Sequence, residues 1–390
     1  MTIIFFTHPA FLSHQSMPRF AHMLAEGMRA RGHRVDMWMP PARLVGLSGF
    51  KPLRKWLGYL DQYVLFPRQV HQQIKKSPPD TLFVFTDQAL GPWVPLVANR
   101  PHAIHCHDFL AQRAALGEIP ENPTSWTGRQ YQAYIRRGYS QGKHFISVSR
   151  NTRDDLHRFL PHRPAISEVV YNGLNQEFAP QDASRARCLL SQKTGVDLTA
   201  GYLLHVGGNQ WYKNRTGVVE VYNAWRATNS APLPLLLIGE APTATLRELW
   251  HQSPFQADIH MISGLEDEFV RLAYAGATVF FFPSLDEGFG WPIAEAMAAG
   301  CPVITTGHAP MTEVGATAAW YTPRRPAPID VPEWTADSAR MVDHVVNLSS
   351  EQRQTAIEAG KANARRFDPA AALDRIEAIY KVILQAYPSA

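Results

Sequence analysis

Eleven short apolar runs, spaced by longer amphipathic stretches, limit this chain to an α/β architecture. The first series reads as strands at residues 3–6, 35–39, 82–85, 103–106, 144–148 and 168–171. The second reads as strands at 203–206, 235–238, 259–262, 279–282 and 303–305. The helical stretches between them make βα units, so both sheets are expected to be mainly parallel. Such sheets take ligands beyond the carboxyl ends of their strands. Residues 173–182 read as a linker between the two series, and the Pro-rich stretch 322–332 reads as a surface loop. A length of 390 residues allows two to three domains with ample core.

Within this frame the segment EGFGWPIAE, bracketed by Glu287 and Glu295, carries the most chemistry. It reads as a buried strand (278–282), a glycine-bearing loop (284–290), a helix (292–299) and a second strand (302–305). Pro292 suits the first helical position and Gly300 the residue past the last. The loop residues Gly288, Phe289 and Gly290 then bring backbone N–H groups and the positive end of a helix to one point, which suits a phosphate. Glu287 before the helix and Glu295 one turn into it can accept hydrogen bonds from paired hydroxyls. Phosphate and diols together describe a sugar nucleotide.

The segment resembles the E-x7-E region of retaining glycosyltransferases of the family-4 type. FISVSRNTRDDL at 145–156, VVYNG ending at Gly173, HVGG at 205–208, LLLIGE ending at Glu240 and the stretch 262–283 follow in the family's order. The resemblance covers residues 202–323 closely and the first half more loosely. It implies a GT-B fold of two Rossmann-like domains facing each other across a cleft. The expected domains are residues 1–180, receiving the acceptor, and 181–369, binding the nucleotide sugar. The helical end, about 370–390, would cross back to the first domain.

The resemblance also assigns roles. Glu295 would hold the ribose diol, and Glu287 would hold donor sugar hydroxyls and stabilise charge at the anomeric carbon. Lys213, in HVGGNQWYKNR, falls at the family's phosphate-binding lysine. Many relatives add an arginine shortly after the strand. Here that place reads Gly208–Asn209, and Arg215 is a possible substitute. IHCHDFL at 104–110 resembles the family's HD turn, placing His107 and Asp108 at a strand end facing the donor sugar. His107 is a hydrogen-bonding or catalytic candidate. Where relatives carry a glycine-rich loop after the first strand, this chain has HPAFLSHQSMPRF, so residues 13–16, with Ser16, would meet the diphosphate. His14 and Arg19 are further candidates there.

No Asp-x-Asp pair or His/Cys cluster marks a metal site, so metal-independent catalysis without a cofactor is expected. The three cysteines lack metal-like spacing and fit a reducing cytosol. The start of the chain has no basic stretch before its apolar residues and reads as a first core strand. No run is long and apolar enough to span a membrane.

Charge is uneven. Residues 1–179 hold 21 Lys+Arg against 12 Asp+Glu, and the remainder 17 against 22, which sum to the net +4. Residues 49–70, GFKPLRKWLGYLDQYVLFPRQV, place Leu53, Trp56, Leu57, Leu60 and Val64 on one helical face, with Lys51, Arg54 and Lys55 beside it. That pattern suits either an anionic membrane surface or a core-packing helix.

The reading that results is a cytoplasmic hexosyltransferase of polysaccharide or glycolipid assembly, with a peripheral contact at the inner face of the membrane as a further expectation. It would move a sugar from a nucleoside diphosphate sugar, UDP- or GDP-linked, to a glycan or lipid-linked acceptor, with no nucleic-acid partner. The alternatives are a non-catalytic sugar-nucleotide-binding partner subunit and a GT-B epimerase. A phosphorylase finds no matching pyridoxal-lysine motif.

Overall fold

The computed structural model describes residues 1–12, 16–47, 49–174, 178–229, 233–326 and 330–387. The chain divides into two units, one of residues 1–175 with 369–390 and the other of residues 176–368. Each is built on a six-stranded sheet in which every pairing is parallel.

In unit 1 the strands are β1 (Thr2–Phe6), β2 (Arg34–Trp38), β3 (Leu82–Phe85), β4 (His102–Cys106), β5 (His144–Ser147) and β6 (Ile166–Val169). Their spatial order is β2-β1-β3-β4-β5-β6. The central strands β3 and β4 are buried at every position, whereas the edge strand β6 is half-buried throughout. This is why the central strands read as unbroken apolar runs. Phe6 and Phe85 stack across neighbouring strands with centroids 4.6 Å apart, and Phe66 and Trp93 join them in the core. The final helix, Pro369–Gln385, packs into the same unit, where the Tyr380 hydroxyl meets His105 Nε2 at 2.7 Å.

The helix Trp126–Tyr139 presses on the 3-10 segment Gln88–Leu96. A Cβ at Gly138 would lie 2.2 Å from the Gly91 carbonyl oxygen, and one at Gly91 would lie 2.3 Å from the Ile135 carbonyl oxygen. Only glycine permits this approach.

Unit 2 holds β7 (Leu203–Gly207), β8 (Leu235–Gly239), β9 (Ile259–Ser263), β10 (Val279–Phe282), β11 (Val303–Thr306) and β12 (Trp320–Thr322), ordered β12-β11-β10-β7-β8-β9. In both sheets the strand order reverses once. The switch lies between β1 and β3 in unit 1 and between β7 and β10 in unit 2.

Most strands agree with the sequence reading to within a residue at each end, one is displaced by two residues and one was not expected. The sixth strand lies at Ile166–Val169 rather than 168–171, because its ladder is anchored on His144 at Ile166. β12 was not anticipated. It has three residues, pairs only with β11 among the described residues, and is followed by Pro323, so it carries too little apolar pattern to read. The expected loop at 322–332 and the expected linker at 173–182 fall partly outside the described residues.

Candidate functional site

The unit 2 site forms beyond the carboxyl ends of β7 and β10, at the switch in strand order. After β7 the chain makes one 3-10 turn, Trp211–Lys213, and closes it on Asn214 at φ 51° and ψ 40°. This left-handed geometry is uncommon outside glycine and is tolerated by asparagine. The Asn214 amide nitrogen donates to the Pro283 carbonyl at 2.9 Å, so the turn is pinned to the end of β10. The Leu285 N–H donates to the Tyr212 carbonyl at 2.7 Å.

These ties bring Lys213 and Glu287 together. Lys213 Nζ donates to Glu287 Oε1 at 2.7 Å, with side-chain exposures of 13% and 8%. The Ser284 hydroxyl lies 2.7 Å from the same carboxylate oxygen, and Nζ sits 5.0 Å from the centre of the Phe282 ring. A cation and a carboxylate so little hydrated interact far more strongly with an arriving charge than a surface pair does.

Gly290 adopts φ 99° and is the N-cap of the helix Trp291–Ala298. With no side chain it makes no side-chain cap to this helix end. The helix opens at Trp291, one residue before the sequence reading, with Pro292 second and Gly300 beyond the C-cap at φ 82°. The expectation that the loop amides stand free needs correction. The Leu285 amide is bound to Tyr212, that of Glu287 donates to Asp286 Oδ1 at 3.0 Å, and that of Ile293 to the Gly290 carbonyl. Gly288 is half-buried, and the buried Phe289 ring packs edge-on against Phe367 at 5.3 Å.

Glu295 is half-buried on this helix and accepts from the Tyr274 hydroxyl at 2.9 Å. Burial, and then the neighbouring carboxylate, push the Tyr274 hydroxyl well above its ordinary range, so it stays a donor. Tyr274 thus orients Glu295.

Asn209, next to Gly208, ties the end of β7 to the loop after β8. The Asn209 N–H donates to Glu240 Oε2 at 3.1 Å and its side-chain amide to the Ala241 carbonyl at 2.7 Å. Arg215, the candidate substitute cation, is held beside this loop, and its Nε and Nη2 are buried with no hydrogen-bond partner among the described residues. It is buried, and its Nη1 donates to Asn209 Oδ1 at 2.6 Å and to the Glu240 carbonyl at 2.9 Å. The side chain is a brace between two loops.

In unit 1, His107 follows β4 as expected but is buried. Its Nε2 donates to the Thr86 carbonyl at 2.9 Å, and its ring meets Phe20 edge-on at 4.5 Å. Burial depresses its basicity, outweighing the opposing pull of Asp87. One ring nitrogen is therefore committed to holding β3 against β4. Asp108 Oδ1 accepts from the Leu110 N–H at 3.0 Å, at the start of the helix Leu110–Ala115. Ser16 opens the helix Ser16–Ala30. Ser13 and His14 lie outside the described residues.

The helix Lys51–Leu60 runs into a π-helical turn, Asp61–Leu65. Its buried face is the polar one. Asp61 is fully buried and accepts from the N–H groups of Leu44 and Val45 at 2.9–3.0 Å. The apolar stripe points outward, with Leu53, Trp56, Leu60 and Val64 exposed by 48%, 67%, 44% and 37%. The core-packing alternative for this face does not hold. Among the described residues, no helix is long and apolar enough to cross a membrane, and no group of three or more His, Cys, Asp or Glu is placed to hold a metal ion.

Residues 188–322 match the family of glycosyl transferases group 1, and residues 17–178 match glycosyltransferase family 4. The chain belongs to these glycosyl transferases. It is 26% identical over 188 residues to O-antigen chain mannosyltransferase B of Escherichia coli, covering 48% of this chain and 49% of that one. It is 36% identical over 107 residues to the MMP alpha-(1->4)-mannosyltransferase of Mycolicibacterium hassiacum, covering 26% and 25%. The matched stretches thus span from a quarter to about half of these curated relatives. The structure of Alr3699/HepE of Anabaena, in complex with UDP and glucose, superposes with a TM-score of 0.72 at 16% identity, covering 98% of this chain and all of that one. WaaG, a glycosyltransferase involved in lipopolysaccharide biosynthesis, gives 0.70 at 17% identity over 98% and 99%. The fold is GT-B.

Several site residues were missed by sequence reasoning. Tyr274, Ser284 and Asn214 act by touching the named residues, and only Asn214, beside Lys213, had a position that pointed to it. His8 and Asp87 each follow the end of a strand by two residues, which was a usable signal.

Proposed function

We propose that the chain is a retaining, metal-independent glycosyltransferase that moves a sugar from a UDP- or GDP-linked donor to an acceptor hydroxyl in bacterial polysaccharide or glycolipid assembly. The observation that carries this reading is the Lys213–Glu287 pair at the β7/β10 switch point, beside a helix end with no side-chain cap. Lys213 and the helix end neutralise the diphosphate leaving group. Glu287 stabilises positive charge developing at the anomeric carbon. Its Oε1 is already engaged by Lys213 and lies beside Ser284, which supports charge stabilisation rather than covalent attack. Glu295, oriented by Tyr274, accepts the ribose hydroxyls. The curated relatives named as mannosyltransferases support an acceptor of glycan or glycolipid class.

The exposed Leu53–Val64 stripe, with Arg54 and Lys55 also exposed, docks unit 1 peripherally on an anionic membrane. This suits a lipid-linked acceptor reached from the cytoplasmic side.

The deciding experiment is a donor assay with a panel of nucleoside diphosphate sugars, with and without a chelator. Slow hydrolysis or transfer from one donor, unchanged by EDTA, is expected. Activity abolished by EDTA and restored by magnesium or manganese overturns metal independence. Interconversion of the donor sugar without acceptor supports the epimerase, and donor binding without any turnover supports the partner subunit.

A further inference from the structure

Unit 2 has a hollow at the end of its sheet remote from Lys213 and Glu287. Every strand pair in this sheet is parallel, so the carboxyl ends lie together and the amino end of β12 is at the opposite side. Residues 317–320, which lead into β12, line a cavity of about 660 Å³ against the helix Ser350–Ala364. A neighbouring cavity of about 840 Å³ shares Leu348 and Gln352 with it and runs on beside the helix Val331–Val346. Each volume is within the range of ligand sites, and the pair makes a trough longer than one sugar ring needs.

The trough has an aromatic wall and an open polar rim. Trp320 is half-buried in the first cavity and meets the ring of His344, from the second, edge-on at 6.5 Å. Ala319, Ala356 and Ala359 leave room beside the indole. Among the described residues, the Trp320 indole N–H, the Thr317 hydroxyl and the Glu351 carboxylate have no hydrogen-bond or ion-pair partner. Gln352 accepts from the Ser349 N–H at 3.0 Å through Oε1, which leaves its Nε2 to donate. The Thr355 hydroxyl donates to the Glu351 carbonyl at 3.0 Å and keeps its acceptor lone pairs.

The backbone that carries this rim is strained. Ala316 stands at φ 46° and ψ −130°, outside the regions open to a residue with a Cβ. The Tyr321 hydroxyl donates to its carbonyl at 2.5 Å, which fixes the turn from which Thr317 and Ala318 reach the cavity. Strain of this kind clusters at ligand sites.

The lining selects a ligand class. No Lys or Arg lines the first cavity, and Arg340 in the second is paired with Asp337, so an anion would meet the Glu351 carboxylate and no free cation. A peptide added as a further strand is poorly served too. β12 is an edge of three residues followed by Pro323, which offers too short a ladder. An indole face beside hydroxyls, an amide and a carboxylate suits a neutral polyol. Its C–H faces pack on the ring, and its hydroxyls donate to the carboxylate in charge-assisted bonds.

We propose that this trough binds a glycan chain at a site separate from the reacting centre, with Trp320 as the platform and Glu351 as the hydroxyl acceptor. The choice of a glycan as the chain held rests on the transferase reading above. An enzyme that extends a chain gains from holding it at a second point, because the chain then returns to the reacting centre at a raised effective concentration.

The test uses the full chain without donor. Binding of α-linked mannotriose and of maltotriose is titrated by saturation-transfer NMR, with free mannose as the short control. Wild-type protein is expected to bind at least one trisaccharide ten times more tightly than mannose, or better. Glu351→Ala and Thr317→Val should each weaken that binding about three- to tenfold. Trp320→Ala should abolish it. Trp320 also packs on the unit 2 core, so Ala359→Trp serves as a second variant. Ala359 is exposed, and an indole there fills the trough while the core is left as it is. Urea unfolding reports that each variant is folded. The proposal is overturned if wild-type protein binds neither trisaccharide, or if Ala359→Trp and Glu351→Ala both bind as wild type does, which would put the glycan elsewhere on the molecule. No donor turnover enters this measurement, so failure of the transferase reading shows separately, in the donor assay.

Discussion

Lys213 Nζ and Glu287 Oε1 lie 2.7 Å apart in a site that leaves either side chain little access to water. Two residues 74 positions apart in sequence are therefore one electrostatic unit, and neither can be altered without changing the other's surroundings. Removing one partner of such a pair leaves an uncompensated buried charge, which typically costs about 3–5 kcal/mol, whereas replacing both is close to neutral.

That relationship separates catalysis from stability. Lys213→Ala should lower both turnover and urea resistance. The double variant Lys213→Met/Glu287→Gln should recover most of the stability and none of the activity. Glu287→Gln alone should reduce the turnover number on the order of a hundredfold or more, the scale seen when a group that stabilises transition-state charge is removed. Near-normal turnover in Glu287→Gln removes the catalytic role.

Glu295 should behave differently. Glu295→Ala should raise the Michaelis constant for the donor with a smaller change in turnover, because ribose binding contributes equally to ground and transition states. Tyr274→Phe removes only the hydroxyl at 2.9 Å and should give a weaker form of the same effect. A loss confined to turnover in Glu295→Ala moves this carboxylate from the ribose to the reacting centre.

The outward stripe on Lys51–Leu60 predicts binding to anionic vesicles that weakens with salt. Each Lys or Arg near such a surface contributes about 1 kcal/mol, so Arg54→Glu/Lys55→Glu should release the protein at lower salt. Trp56→Ala should weaken binding at all salt concentrations, since that side chain is 67% exposed and has apolar area to bury. Vesicle flotation checks both. Indifference of the wild type to anionic vesicles at low salt would make a soluble acceptor the better expectation.

Acid should destabilise the two units unequally. Burial pulls His102 down to about 4 and His105 to about 3 in unit 1, and His205 to about 3 in unit 2. These rings stay neutral when folded and take up a proton when unfolded below the ordinary value near 6.5. Stability is therefore complete above that value and falls as pH drops from it toward about 4. Each histidine contributes up to roughly 1.4 kcal/mol per pH unit. Burial also lowers His107 and His144 in unit 1 and His260 in unit 2, so unit 1, with the larger set, should lose stability faster. Urea unfolding followed by signals from each unit at pH 7.5 and 5 should show the difference, and His205→Gln should flatten the slope of unit 2.

Much of the site was legible because its residues follow strand ends. Glu287 lies just past β10, where strand periodicity and a glycine-proline helix start mark it, whereas Lys213, just past β7, was marked by the family resemblance. What was illegible depended on where a side chain turned. Arg215, expected as a replacement cation, is buried with Nη1 bound to Asn209 and the Glu240 carbonyl, a placement no spacing in the sequence shows. His107 sits at the expected strand end, yet its Nε2 is bound to Thr86. His8 and Asp87 were overlooked because each is unremarkable alone, and only the pairing of β1 with β3 brings them within 2.8 Å.

The amino-acid sequence by itself determined the two parallel sheets, since apolar runs of strand length alternating with amphipathic helices leave no other way to bury both faces of each strand. It also determined where the helix after β10 starts, since Gly290 and Pro292 act locally. Only the tertiary structure decided which face of Lys51–Leu60 is exposed. Periodicity marks an apolar stripe but not what lies against it, and here Asp61 is drawn inward by the Leu44 and Val45 N–H groups while Trp56 is left outside. Only the tertiary structure, too, decided that each sheet carries a polar pair at its switch point. That pairing is a property of strand order, and strand order is set by packing between segments far apart in the chain.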